Sequence, residues 1–70
     1  MGDIDPGLVA DHFVGIRRDR SSWEWEIHRR SRPMGVRIRE GDFRTEQSAR
    51  LAGEKALRDF LERLSEEERG

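Results

Sequence analysis

The sequence predicts an α+β domain: a three-stranded antiparallel sheet packed against one C-terminal α-helix, in the order βββα. Apolar residues fall at every second position in three stretches, Val14 and Ile16, then Trp23, Trp25 and Ile27, then Met34, Val36 and Ile38, which is the period of a half-buried strand. Further on, Ala49, Ala52, Gly53, Ala56, Leu57, Phe60 and Leu64 gather into one stripe at about 100° per residue, the period of an amphipathic helix. Seventy residues make one domain at most, and a chain this short buries only about 60% of the surface it exposes when unfolded. The core is therefore small, and each large apolar side chain counts.

Residues 1–12 form an acidic arm carrying Asp3, Asp5 and Asp11. Asp5-Pro6-Gly7 has two readings, a turn or the start of a short helix through Asp11 with Asp5 as N-cap and Pro6 at the first helical position. The first strand is expected over Phe13–Arg17, with Val14 and Ile16 on one face and Phe13, Gly15 and Arg17 on the other. Arg18-Asp19-Arg20-Ser21 links it to the second strand, where Trp23, Trp25 and Ile27 share a face and Glu24, Glu26 and His28 share the opposite one.

Pro33 cannot donate to a ladder, so Arg30-Ser31-Arg32-Pro33 is read as the next connection and the third strand as Met34–Arg39, with Arg29 opposite Met34. That register sets Ile27 against Val36 and Trp25 against Ile38 on the inner face. On the outer face it sets Glu26 against Arg37 and Glu24 against Arg39. Glu40-Gly41-Asp42 is expected to turn the chain out of the sheet. Thr45 is the expected N-cap of a helix with Glu46 in its first turn, where a carboxylate suits the positive end of the helix dipole.

The helix should end near Leu64, leaving residues 65–70 as a polar tail that frays and 13–64 as the folded domain. Leu51 points away from the stripe and Leu61 lies at its edge. Small residues in the N-terminal half of the stripe let the helix approach the sheet, and Trp23 and Trp25 supply the volume they lack. Replacing Trp25 by Ala should cost about 3 to 5 kcal/mol.

With 33% hydrophobic and 41% charged residues, the composition sits near the polar edge of what folds, yet the aromatic residues and the periodic stripe argue for order. The absence of Cys excludes disulfides, thiolate metal sites and a cysteine nucleophile, and leaves the cytoplasm as the default location. No apolar run approaches the roughly 20 residues that span a bilayer, no signal-peptide pattern is present, and Pro6 stands where a myristoylation motif after Gly2 requires Ser or Thr. No zinc-ligand spacing, phosphate-cradling glycine loop or nucleophile elbow occurs. The expectation is a non-enzymatic protein with no cofactor, no metal, no small-molecule substrate and no membrane partner, as a monomer or weak dimer. The net charge of −1 hides a basic centre, because residues 13–50 hold ten Arg against six acids.

Two function classes follow. In the first, the outer sheet face reads double-stranded DNA: Arg can donate to guanine, Glu can accept from cytosine, and Arg18, Arg20, Arg29, Arg30 and Arg32 in the two connections hold phosphates. In the second, the chain is a protein-interaction or accessory module that uses Leu51 or Leu61 and binds no nucleic acid. A plain solvated face, with Glu–Arg pairs worth about 0.2 to 1 kcal/mol each, is the alternative to both for the outer residues.

"GIR" at Gly15–Arg17, "WEWEI" at Trp23–Ile27 and "GDFRTEQSARLAGEKA" at Gly41–Ala56 resemble the first-strand Gly-Val-Arg, the second-strand aromatic-x-x-Glu-Ile and the Gly-Thr-Phe-x-Thr plus Ala-rich helix of the AP2/ERF DNA-binding domain. The likeness covers about Phe13 to Leu57. Arm-binding modules of phage-type integrases resemble the same arrangement, and so do small bacterial proteins with a Trp-x-Trp-Glu-Ile strand, for which no activity is implied. The AP2/ERF resemblance implies a sheet face lying in the major groove, with Arg17, Glu26, His28, Arg37 and Arg39 at contact positions. Several positions depart from that family: His28 stands where it has Arg, Arg39 where it has Trp, Asp19 where it has a basic residue, and Glu24 adds an acid.

Overall fold

The computed structural model describes residues 4–69 and has the expected βββα order, preceded by one short helix. The readings that involve Gly2, Asp3 and Gly70 lie outside the described residues. Helix α1 spans Pro6–Asp11. Asp5 caps it, its Oδ1 accepting the Gly7 N–H at 2.8 Å, and Pro6 opens the first turn, where a missing N–H costs nothing. The helical reading of Asp5-Pro6-Gly7 is therefore the one the chain adopts.

Strand β1, His12–Asp19, and strand β2, Ser22–Arg29, form a hairpin, each longer than the alternation alone indicates. Asp19 faces Ser22, so the link shrinks to Arg20-Ser21. Arg20 takes a φ of 60°, since two-residue hairpins need a left-handed residue to match the twist of the strands. Ser22 Oγ donates to the Asp19 carbonyl and Arg18 Nε to the Arg20 carbonyl, which fastens the turn.

Strand β3 is Arg39–Phe43, and here the expected register fails. Met34–Arg39 does not form the third strand. Ile27 donates its N–H to the Ile38 carbonyl at 2.9 Å, Glu26 faces Arg39, Trp25 faces Glu40, and Trp23 faces Phe43 after a bulge. Pairing thus begins two residues later than Pro33 alone suggests, and Glu40-Gly41-Asp42 lies inside the strand instead of leaving it. Asp42, at φ 70°, absorbs the extra residue of the bulge, a conformation that Asp tolerates better than most residues.

The later register brings Phe43 onto the inner face beside Trp23, an aromatic pairing that Met34 to Ile38 could not supply. It leaves Val36, expected opposite Ile27, 67% exposed. A slip of two residues keeps every side chain on its face. Arg39 therefore remains outside, facing Glu26 where Glu24 was expected.

Helix α2 runs from Glu46 to Arg69. Thr45 caps it as expected, its Oγ1 accepting the Ser48 N–H at 3.0 Å. The buried apolar core consists of Trp25, Ile27, Ala49 and Leu61. Leu61, expected at the stripe's edge, is only 3% exposed and belongs to the centre of the contact. Gly53 is buried with Val14 and Trp25 directly above it, so the small-against-large expectation holds there, whereas Trp23 is only half-buried and carries Arg18 against its ring.

The helix does not end at Leu64, because Ser65 is itself buried and its Oγ accepts the Asp5 N–H at 3.1 Å. That bond ties the last turns of α2 to the start of α1. His12, the first residue of β1, is buried in the same corner, with Nδ1 2.8 Å from the Leu8 carbonyl and its ring edge-on to Phe60.

Candidate nucleic-acid interface

The face of the sheet turned away from α2 carries Phe13, Gly15 and Arg17 from β1 opposite His28, Glu26 and Glu24 of β2. Arg17 and Glu24 form the tightest pair, Nη2 and Nε both reaching Oε1 at 2.7 Å. Glu24 was expected to face Arg39, and its ion pair is made with β1 instead. Glu26 lies between two basic side chains, His28 Nε2 at 3.5 Å and Arg37 Nε at 3.7 Å. The expected Glu26–Arg37 pairing thus exists, as a loose contact from a loop and not from a strand.

Next to this network the face becomes aromatic. His28 stacks on Phe13 with ring centroids 5.1 Å apart, and the Arg30 guanidinium lies 4.5 Å from the Phe13 centroid. Gly15 makes the stack possible, because a Cβ there would stand 2.8 Å from His28 Nε2. Glycine in the "GIR" of β1 therefore has a steric role on the outer face, beneath the histidine ring.

The chain from Arg30 to Ile38 leaves the sheet and returns, and Asp11 and Arg29 hold its first half. Asp11 grips Ser31, Oδ1 accepting its N–H at 2.8 Å and Oδ2 its hydroxyl at 2.7 Å, and the Asp11 carbonyl accepts the Arg30 N–H at 2.7 Å. Arg29 donates Nε to the Arg32 carbonyl and Nη2 to the Pro33 carbonyl, both at 3.1 Å. The Ser31 hydroxyl, and after it the Ser31 N–H and the neighbouring His12 and Arg29, hold the Asp11 carboxyl below its ordinary value of 3.8. Hydrogen bonds to the charged form favour that form.

Between β2 and this loop lies an open cleft of about 490 Å³, whose lining includes the basic Arg30, Arg32 and Arg37 and the apolar Pro33, Met34 and Val36. Glu26 is the one acid in its lining. From His28 to Arg39 the chain has five Arg and no Asp or Glu.

Of the residues expected to contact DNA, Arg17, Glu26, His28, Arg37 and Arg39 do share one side of the sheet, with Arg39 exposed and without an ion pair among the described residues. Arg30 and Arg32 flank the same surface, while Arg29 spends its guanidinium on loop carbonyls. Arg18 and Arg20 lie at the far end of the hairpin, roughly 23 Å away at 3.3 Å per strand residue. The Asp11 clasp, the Arg29 brace and the Phe13 stack were missed, since all three depend on side chains brought together by the sheet. The acid-free run His28–Arg39 was the one signal in the sequence that marked this loop.

No family model, curated protein or solved structure matches the chain. The surface must therefore be read from its own chemistry. Among the described residues no three His, Asp or Glu side chains are placed to hold a metal ion, and no helix is long and apolar enough to cross a membrane.

Proposed function

We propose that the chain is a small, non-enzymatic module that binds double-stranded DNA through the outer sheet face and the basic loop Arg30–Ile38. The observation that carries the reading is the placement of exposed Arg30, Arg32 and Arg37 in the lining of the cleft, with exposed Arg39 opposite Glu26 on the outer face, in a stretch without an acid. A β-ribbon can enter a major groove about 12 Å across, and the resemblance to AP2/ERF domains points the same way. A cytoplasmic location belongs to the same proposal.

The two glutamates do not forbid this. Glu24 and Glu26 neutralise Arg17 and Arg37, and exposed pairs of that kind are worth about 0.2 to 1 kcal/mol, so a phosphate can displace them. They set an affinity ceiling more than a sign.

Fluorescence anisotropy with a labelled mixed-sequence duplex tests the proposal. Four arginine–phosphate contacts give a slope of about −3.6 in log K against log salt, a loss of about a hundredfold between 50 and 200 mM. Arg32→Ala should make that slope shallower by about 0.9. Absence of binding at 50 mM salt, or binding indifferent to salt, would refute it.

The second reading, a protein-interaction module, keeps one supporting observation: Leu51 is 64% exposed on the far side of α2. The burial of Leu61 removes the other. A lone exposed leucine makes no apolar patch of the few hundred Å² that marks a docking surface, so the DNA reading is preferred.

A further inference from the structure

We infer that the cleft between β2 and the loop Arg30–Ile38 is a site for a phosphomonoester joined to an apolar or planar group, the chemistry of a 5′-nucleotide. This deepens the DNA reading by naming a discrete pocket inside the proposed interface, but its test stands apart from that reading.

A flat basic patch attracts phosphates without placing them. Here arginines contribute to the lining of an open concavity of about 490 Å³, within the range of about 300 to 1,000 Å³ of small-ligand pockets. Its lining combines two chemistries. Arg30, Arg32 and Arg37 in the lining supply donors to a dianion, and Pro33, Met34 and Val36 in the same lining supply apolar surface. Val36, at 67% exposure, is one of the most exposed large apolar side chains in the chain, and an apolar group seated against it would take it out of water.

The pocket is also organised before any ligand arrives. Asp11 holds the loop at Ser31, Arg29 holds the carbonyls of Arg32 and Pro33, and Ile27 holds that of Ile38. The Arg29 and Ile27 bonds occupy the carbonyl oxygens of Arg32, Pro33 and Ile38, which would otherwise repel an anion. Ordering costs that a free loop would incur on binding are thereby reduced. Glu26, the acid in the lining, already faces His28 and Arg37.

The ligand's phosphate has two sources, a free nucleotide or the phosphorylated end of a nucleic-acid strand. An NMR titration of backbone and Arg Nε–H signals at 50 mM salt, with adenosine 5′-monophosphate, adenosine and inorganic phosphate in parallel, tests the site. The monophosphate should saturate, move Arg30, Arg32, Val36 and Arg37, and bind at least tenfold tighter than either fragment. Arg32→Ala should weaken it at least tenfold, and it leaves intact the backbone carbonyl that Arg29 grips. Arg58→Ala, on the helix, should change nothing.

Equal binding of monophosphate and inorganic phosphate, or shifts spread over Arg17, Arg18 and Arg58, would overturn the inference. With the site supported, displacement of the monophosphate by a 5′-phosphorylated duplex, but not by its unphosphorylated counterpart, assigns it to strand ends. Retention of the monophosphate against both assigns it to the free nucleotide. Duplex binding without any preference for the monophosphate refutes this inference alone, and monophosphate binding without duplex binding refutes the DNA reading alone.

Discussion

Replacing Gly53 by Ala sets two known effects of similar size against each other, and the geometry of the helix–sheet contact decides the sign. In an exposed helix interior, Gly→Ala stabilises by about 1 kcal/mol through backbone entropy. At Gly53 the added Cβ would stand 2.7 Å from Val14 Cγ1, 2.8 Å from Trp25 Cβ and 2.9 Å from Trp25 Cγ. A valine methyl can yield by rotation, but the Trp25 Cβ is fixed to the central strand, so α2 must lift or the sheet must bend. Overpacking of that kind costs about 1 to 3 kcal/mol, and with three contacts violated at once the upper half of that range applies. The net expectation is destabilisation by about 1 to 2 kcal/mol. For a domain of this size each kcal/mol moves the midpoint by roughly 4 to 8 °C, so thermal unfolding followed by circular dichroism should show a clear fall in Tm. Gly35→Ala serves as the control, since nothing lies within 4 Å of its added Cβ, and it should leave Tm unchanged or slightly higher. A rise in Tm for Gly53→Ala would refute the close approach of α2 to Trp25 and with it the reason for small residues in the helix.

Three further outcomes follow from the same geometry. Arg20→Gly should stabilise by about 1 kcal/mol, because Arg20 holds a left-handed φ of 60° that costs a non-glycine residue roughly that much; an unchanged urea midpoint would mean the turn is not strained. Asp11, held below 3.8 by Ser31, contributes stability that is fully present above that unfolded value and lost as pH falls through the lower folded one; a carboxyl NMR titration should show the depressed midpoint, and Ser31→Ala should return it toward 3.8, whereas no return would discount the clasp. Glu24→Gln frees the Arg17 guanidinium from its partner at 2.7 Å, so duplex affinity should rise severalfold with a salt slope steeper by about 0.9, while a fall in affinity would mean that Glu24 reads a base.

The architecture was legible in the sequence because it rests on periodicity. Alternation at Val14–Ile16 and Trp23–Ile27 marks two strands, and the stripe from Ala49 to Leu64 marks α2, since burial on one face forces those patterns. The third strand was misread for a physical reason. Met34, Val36 and Ile38 alternate as a strand does, yet Pro33 and Gly35 weaken the segment, and Phe43 offers Trp23 a better partner three residues further along, through the two-residue slip and the bulge. Local pattern gave way to cross-strand packing.

At the candidate site the pattern of success is the same. Residues on the outer face could be assigned from parity, and parity survived the slip of two residues, which is why Arg17, Glu26, His28 and Arg39 fall together. Their partners were assigned only in part, because pairing depends on register and on loops: Glu26 does meet Arg37, but Glu24 pairs with Arg17 and not with Arg39. Asp11 and Ser31 are twenty positions apart in the chain, and no local rule connects them.

The proposed interface is tested most directly by mapping amide and Arg Nε–H NMR shifts of the protein on addition of a mixed-sequence duplex at 50 mM salt. The largest changes should fall on Arg17, His28, Arg30, Arg32, Arg37 and Arg39, with α2 from Arg50 to Asp59 unmoved. Changes centred on Leu51 and its neighbours, or none at all with the duplex in excess, would contradict it.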